Sequence, residues 1–232
     1  MPVAVITGAS RGLGHALSSA LADRGWQLVV DARDAGALDR AMAAFQGGPH
    51  HAIVGDVADA DHRAMLADAA AELGGADLLV NNASTLGASP LPSFAELSPA
   101  IYAEVLAVNV VAPMALAATL LPQLRERGGR VIAISSDAAV EPYETWGAYG
   151  SSKAALDHAT RILAAEETGL KVYAVDPGDM RTDMQQAAFP GEDISDRPPP
   201  ETVVPGLLRL VEESLSSGRY RAVELLAAGT PA

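Results

Sequence analysis

The sequence predicts a single-domain α/β fold: a doubly wound parallel sheet of about seven strands with helices on both faces. Three observations lead there. Short apolar runs alternate with helix-length segments along most of the chain, and strands joined by helices pair in parallel through right-handed crossovers. The first apolar run breaks directly into a glycine-rich turn that opens a helix, Thr7-Gly8-Ala9-Ser10-Arg11-Gly12-Leu13-Gly14. The 232 residues show no linker and no internal repeat, so one domain over 1–232, long enough to bury a core, is expected.

Each element has its own signal. Val3–Thr7 is an apolar run of strand length, and Gly12–Arg24 carries Leu13, Leu17 and Leu21 at helical spacing before Gly25 stops it. Leu28–Ala32 reads as the second strand, and Asp34–Phe45 as a helix closed by Gly47-Gly48. His51–Val54 and Asp59–Leu73 repeat the pair, with Gly74-Gly75 as the stop, and Asp77–Asn81 is a fourth strand. A long helix runs from about Ser98 to Arg127, where Pro113 is expected to bend it or mark its weak point. Arg130–Ser135, Ala148–Glu167 and Lys171–Asp176 supply a fifth strand, a helix and a sixth strand. The rhythm then breaks. Met184–Pro200, rich in proline and charge, reads as a loop, Glu201–Ser217 as a helix, and Ala222–Leu225 as a last strand.

Composition narrows the function classes. Sixteen basic against twenty-nine acidic residues give a net charge of −13, which argues against nucleic acid or an anionic membrane as partner. An anionic cofactor would need local positive charge. The most apolar stretch, Val105–Leu121, contains Asn109 and Pro113 and reads as a buried or inter-subunit helix rather than a membrane span. There is no cysteine, hence no disulfide, thiolate nucleophile or Cys-ligated metal. The five histidines show no ligand spacing, so no metal is expected. The opening MPVAVITGAS enters a strand at once, without the pattern of a secretory leader, and the cytoplasm is the expected location.

Three motifs carry chemistry. In Thr7–Gly14 the glycines allow a tight turn and close backbone approach to a pyrophosphate, with a helix N-terminus facing that anion. In Tyr149-Gly150-Ser151-Ser152-Lys153 the four-residue step puts Tyr149 and Lys153 on one helix face. An ammonium near a phenol is expected to lower its pKa and make it usable as an acid or base near neutrality. Ser136, thirteen residues before Tyr149, lies just past the fifth strand, with Ser135 as its competitor. Neighbours in a strand face opposite ways, so one of the two serves the cleft.

Together these features resemble the short-chain dehydrogenase/reductases, over residues from about 3 to 183. The resemblance implies a Rossmann-type sheet and a nicotinamide cofactor. It carries the family's glycine motif onto Thr7–Gly14, including Gly8, Ser10, Arg11, Gly12, Leu13 and Gly14. Its adenine-contacting Asp falls on Asp56, with Val57 beside it, and its Asn-Asn-Ala-Gly motif on Asn81-Asn82-Ala83-Ser84, with Ser in place of Gly. Its catalytic Asn, Ser, Tyr and Lys fall on Asn109, Ser136, Tyr149 and Lys153. Its Pro-Gly motif falls on Pro177-Gly178, and its carboxamide-contacting threonine on Thr182, with Met180 nearby. Glu141, Tyr143, Trp146 and Met184 are candidates to touch substrate, and 184–200 is the expected lid.

Charge speaks to the cofactor. Family members that use NAD place an acid at the end of the second strand; here that slot is Ala32, followed by Arg33. Arg11 and Arg33 can clamp a 2′-phosphate, so NADP(H) is expected. Asp31 is the counter-signal, although its side chain should point to the other sheet face. The implied activity is hydride transfer between NADP(H) and a small-molecule carbonyl or secondary alcohol, with Tyr149 as acid/base and Asn109 holding a water that relays protons from Lys153. The competing reading is a catalytically silent NADP(H)-binding regulator. The resemblance implies a homodimer through the long helix and the Tyr149 helix. The departure from the family's usual C-terminal ending puts a tetramer in doubt.

Overall fold

The strands of this chain are apolar on both sides because both sheet faces are covered. In the computed structural model, which describes residues 1–227, consecutive strand residues feed two separate cores. In β1 (Val3–Ile6), Ala4 and Ile6 join one core while Val3 and Val5 join the other. The same alternation runs through β2 (Gln27–Ala32), β4 (Leu78–Asn81), β5 (Arg130–Ile134) and β6 (Lys171–Asp176), as the two-residue strand period demands. With β3 (His51–Val54) and β7 (Gly218–Arg221) they form one seven-stranded sheet, ordered β3-β2-β1-β4-β5-β6-β7, with every pairing parallel.

One face is packed by α1 (Gly12–Ala22), α2 (Ala35–Met42) and α8 (Val204–Glu212), through residues such as Leu17, Leu38 and Leu207. The other is packed by α3 (Ala60–Glu72) and α5 (Ala112–Arg127), through Leu66, Leu116, Leu120 and Leu124. Between α3 and α5 the chain forms α4 (Pro99–Leu106), and beyond them lie α6 (Gly147–Glu166), α7 (Asp183–Ala188) and α9 (Ala222–Ala227). Strand order reverses between β1 and β4, so the turns after these two strands open the crevice where such sheets bind ligands.

Four expectations are corrected. Among the described residues the last strand is Gly218–Arg221, paired with β6, while Ala222–Leu225 is the start of α9. Its apolar residues follow a helical step, with Ala222 and Leu225 both buried. The segment expected as a loop from Met184 begins with α7, because the Thr182 hydroxyl accepts the Gln185 amide and caps a helix. The helix expected over Glu201–Ser217 is confined to Val204–Glu212, with Pro205 in its first turn, where a missing N–H costs nothing. The long helix is continuous from Pro99 to Arg127 and is long and apolar enough by composition to cross a membrane, yet its inner face is built into the core. Its weak point is a π-helical turn at Ala107–Val111, which ends two residues before Pro113.

Candidate active site

The turn after β1 is held open by its own hydrogen bonds. Gly8 sits at φ +70°, a region that favours glycine, and its N–H donates to the carboxylate of Asp31 at 2.7 Å. The Asn82 amide donates to the carbonyls of Thr7 and Gly8 at 2.8 and 3.1 Å. The Thr7 hydroxyl accepts the N–H groups of Asn82 and Ala83, both at 3.0 Å. A Cβ at Gly14 would lie 2.4 Å from the Gly8 carbonyl oxygen, so only glycine admits this packing. Leu13 is buried beneath the turn, and no side chain caps the N-terminus of α1. An open, pre-braced turn ending in free helix N–H groups fits the pyrophosphate of a dinucleotide.

Asp31 is fully occupied. Besides Gly8 it accepts a hydrogen bond of 2.8 Å from the ring of His62, and both side chains are buried. It faces α3, so it offers nothing to a ribose at the end of β2, where Ala32 is followed by the exposed Arg33. Arg11 reaches instead to Asp183 of α7, at 3.0 Å and largely exposed. Ser10, Arg11, His15, Arg40 and Asp183 line a cavity of about 320 Å³ beside the turn. Arg40, a second basic group facing this cavity, went unnoticed in the sequence. Asp56 accepts the Ala58 N–H at 2.9 Å, and Val57 is buried behind it.

The remaining residues converge past β5. Tyr149 and Lys153 stand one turn apart on α6 and are both buried, with the lysine Nζ 5.4 Å from the centre of the tyrosine ring. Nζ donates to the Ile134 carbonyl at 2.8 Å. Burial pulls the Lys153 ammonium down to about 8, against a smaller opposing pull from Asp157. Burial pushes the Tyr149 hydroxyl up, while the hydroxyls of Ser136 and Ser84 pull it back and the charges of Asp137 and Asp176 push it further. The expected lowering of the phenol by Lys153 is therefore corrected: desolvation dominates both groups, and the ammonium addresses a carbonyl and the ring face. Of the two serines past β5, Ser136 approaches Tyr149; the amide of Ser135 is spent on β6, bonding Val175 at 2.7 Å.

Asn109 lies in the π-helical turn and is buried. Its side chain accepts from Ser84 and Thr85 and donates to the Thr85 carbonyl and the Ser152 hydroxyl. Every polar position of that amide is committed, so a water could be held only by its main-chain carbonyl. Pro113, four residues on, has no N–H to give that carbonyl.

Three further residues bear on this site. Ser84 touches both Asn109 and Tyr149. Asp157, four residues past Lys153 and on the same helix face, influences its charge, and that spacing was readable. Arg219 of β7 donates to Asp157 at 2.8 Å and to the Ser136 carbonyl at 3.0 Å, a link across the fold that no spacing announces.

At the mouth, the Trp146 ring packs 5.5 Å from Tyr149 and 5.9 Å from Phe189. Met184 joins the small apolar cluster around Tyr149. Tyr143 and Glu141 are exposed, and the Tyr143 hydroxyl donates to Asp137 at 2.9 Å. Pro177-Gly178 forms the turn after β6, with the Gly178 N–H held by Asp176 at 2.9 Å. Met180 packs against the first core rather than standing free, and the Thr182 methyl faces Gly12.

Comparison with known proteins agrees with this fold. A family model described as short chain dehydrogenase matches residues 2–193. The chain is 39% identical over 198 residues to human dehydrogenase/reductase SDR family member 2, mitochondrial, covering 83% of this chain and 70% of the relative. A short chain dehydrogenase/reductase structure from Saccharomyces cerevisiae superposes with TM-score 0.88 at 26% identity, covering 100% of both chains. A short chain dehydrogenase from Escherichia coli, solved in complex with NADPH, superposes with TM-score 0.88 at 27% identity, covering 95% of this chain and 96% of that one.

Proposed function

This chain belongs to the short-chain dehydrogenase family, and on that premise we propose that it is an NADP(H)-dependent oxidoreductase acting on a carbonyl or secondary alcohol. The observation that carries the reading is the group formed by buried Tyr149, Lys153 and Asn109 with the half-buried Ser136 at the carboxyl end of the sheet, next to a turn braced for a dinucleotide. When bound, the nicotinamide supplies or accepts the hydride. Ser136 and Tyr149 hold the substrate oxygen, and Tyr149 gives or takes the proton at its hydroxyl. Lys153 holds the cofactor ribose and supplies positive charge beneath the tyrosine ring. The Asn109 carbonyl is the anchor for a water that refills the proton. Gly8, Ser10, Gly12, Leu13 and Gly14 hold the pyrophosphate, Asp56 and Val57 the adenine, and Asn82 and Ala83 the glycine turn and the ribose. Pro177, Gly178, Met180 and Thr182 border the carboxamide.

Preference for the phosphorylated cofactor is supported by charge. Ala32 stands where a carboxylate would select the free ribose, the exposed Arg33 follows it, and Asp31 is turned inward and used. Arg11 is tied to the chain by a single exposed pair with Asp183, which is worth little, so a phosphate can take it. A homodimer through α4–α5 and α6 is supported by the exposed Val111 and Ile162 on those helices. The test is reduction of aldehydes and ketones with NADPH, followed by cofactor absorbance. Tyr149→Phe is expected to lose at least about a hundredfold in turnover while keeping NADPH affinity. Undiminished turnover in that variant would remove Tyr149 as the acid.

A further inference from the structure

The mechanism above leaves one charged group beside the reacting atoms without a task. Asp137 follows Ser136 directly. One carboxylate oxygen accepts the Ser136 hydroxyl at 3.0 Å and the Ala138 N–H at 2.8 Å; the other accepts the Tyr143 hydroxyl at 2.9 Å. No basic side chain lies within salt-bridge distance of it among the described residues. Arg219, which reaches the adjoining Ser136 carbonyl, spends its charge on Asp157 at 2.8 Å and Asp176 at 3.7 Å.

For a bare ketone this carboxylate is a liability. Reduction builds negative charge on the substrate oxygen beside Ser136, and Asp137 opposes it. Asp137 also takes the single Ser136 proton that the oxygen needs. The cost vanishes when the substrate brings a donor of its own. Two hydrogen bonds in series put the Asp137 oxygens about 5–6 Å from the substrate oxygen, which an N–H or O–H on the carbon next to the carbonyl can bridge. The exposed Tyr143 phenol already occupies one such donor position. Trp146, Phe189 and Met184 supply an apolar wall alongside.

We propose that Asp137 is a specificity-determining residue, and that the site takes ketones or aldehydes with an apolar body and a hydroxyl or amino group on the carbon next to the carbonyl, and rejects 2-oxo acids. The proposal rests on the hydride-transfer reading. Hydride from NADPH adds to the carbonyl carbon, the C=O π bond breaks, Tyr149 protonates the oxygen, and NADP⁺ and the amino or hydroxy alcohol leave.

The test compares 2-hydroxyacetophenone, 2-aminoacetophenone, propiophenone and phenylglyoxylate as substrates of the whole protein with NADPH. The first two are expected to exceed propiophenone at least tenfold in kcat/KM, and phenylglyoxylate to fall at least tenfold below it. Asp137→Asn keeps the shape and is expected to bring the amino compound and the oxo acid to within about threefold of propiophenone. Equal rates across the wild-type series would overturn the proposal without recourse to any variant. In parallel, tryptophan fluorescence with NADP⁺ present reads the binding of 2-amino-1-phenylethanol, 1-phenyl-1-propanol and mandelate. A tenfold preference for the amino alcohol, lost in Asp137→Asn, with no ketone reduced, would uphold Asp137 as the selector and bring down hydride transfer instead. No preference in binding or in rate brings down the Asp137 assignment.

Discussion

Replacing Lys153 by methionine is expected to make the protein's stability curve cross that of the wild type between neutral and alkaline pH. The side chain is buried, and its ammonium is pulled from 10.5 to about 8. A lowered amine pKa means that the unfolded chain holds the proton more tightly than the folded one. The folded state then gains stability as pH rises from about 8 to about 10.5, and below about 8 the whole penalty is in force. At about 1.36 kcal/mol per unit the penalty is about 3 kcal/mol. Methionine fills the same channel without charge. It also leaves the Ile134 carbonyl without its donor, which costs about 1–3 kcal/mol. At pH 7 the variant is therefore as stable as the wild type or up to about 2 kcal/mol more stable. By pH 10.5 the difference has moved about 3 kcal/mol in favour of the wild type. Urea unfolding at fixed protein concentration across pH 7–10.5 measures the gap. The chain has only two lysines, Lys153 and Lys171, so ¹³Cε-lysine NMR gives the titration directly, with the variant assigning the signal. Stability curves that stay parallel across this range would refute a charged, desolvated Lys153.

Two other substitutions address the cofactor. Arg11→Ala with Arg33→Ala is expected to lower NADPH affinity at least tenfold, about 1.4 kcal/mol or more, and leave NADH affinity nearly unchanged; calorimetric titration with both cofactors measures it, and an equal loss for both would contradict a 2′-phosphate clamp. Gly14→Ala drives a methyl into the Gly8 carbonyl and the Asn82 amide, so dinucleotide binding should fall more than tenfold even where circular dichroism shows the fold intact.

Much of the molecule was legible because periodicity and punctuation carry it. The β1 turn, α1 and the first six strands follow from short apolar runs that stop at glycine or polar residues, and the face of Asp31 followed from strand alternation alone. The Tyr149–Lys153 pair was legible from a single helical turn. The C-terminal stretch was not. Gly218–Arg221 is polar and pairs on one side only, so it lacks an apolar strand signature, whereas the apolar Ala222–Leu225 run serves a helix. The electrostatics were illegible for a different reason. Sequence spacing sets Lys153 beside Tyr149, but the depth of both in the protein decides which way their protons move. Arg219 meets Ser136 across 83 residues, and long-range meetings of this kind leave no local mark.

That last contact bears on when the protein becomes competent during its own making. The carbonyl of Ser136 is gripped from β7, which follows it by more than eighty residues in the chain, and β1 must wait for β4 before its second edge is paired. Local helices form early, and pairings distant in sequence form late. A nascent or refolding chain thus acquires its secondary structure well before Ser136, Tyr149 and Lys153 are aligned. Recovery of helical signal after dilution from denaturant should accordingly run ahead of the recovery of activity.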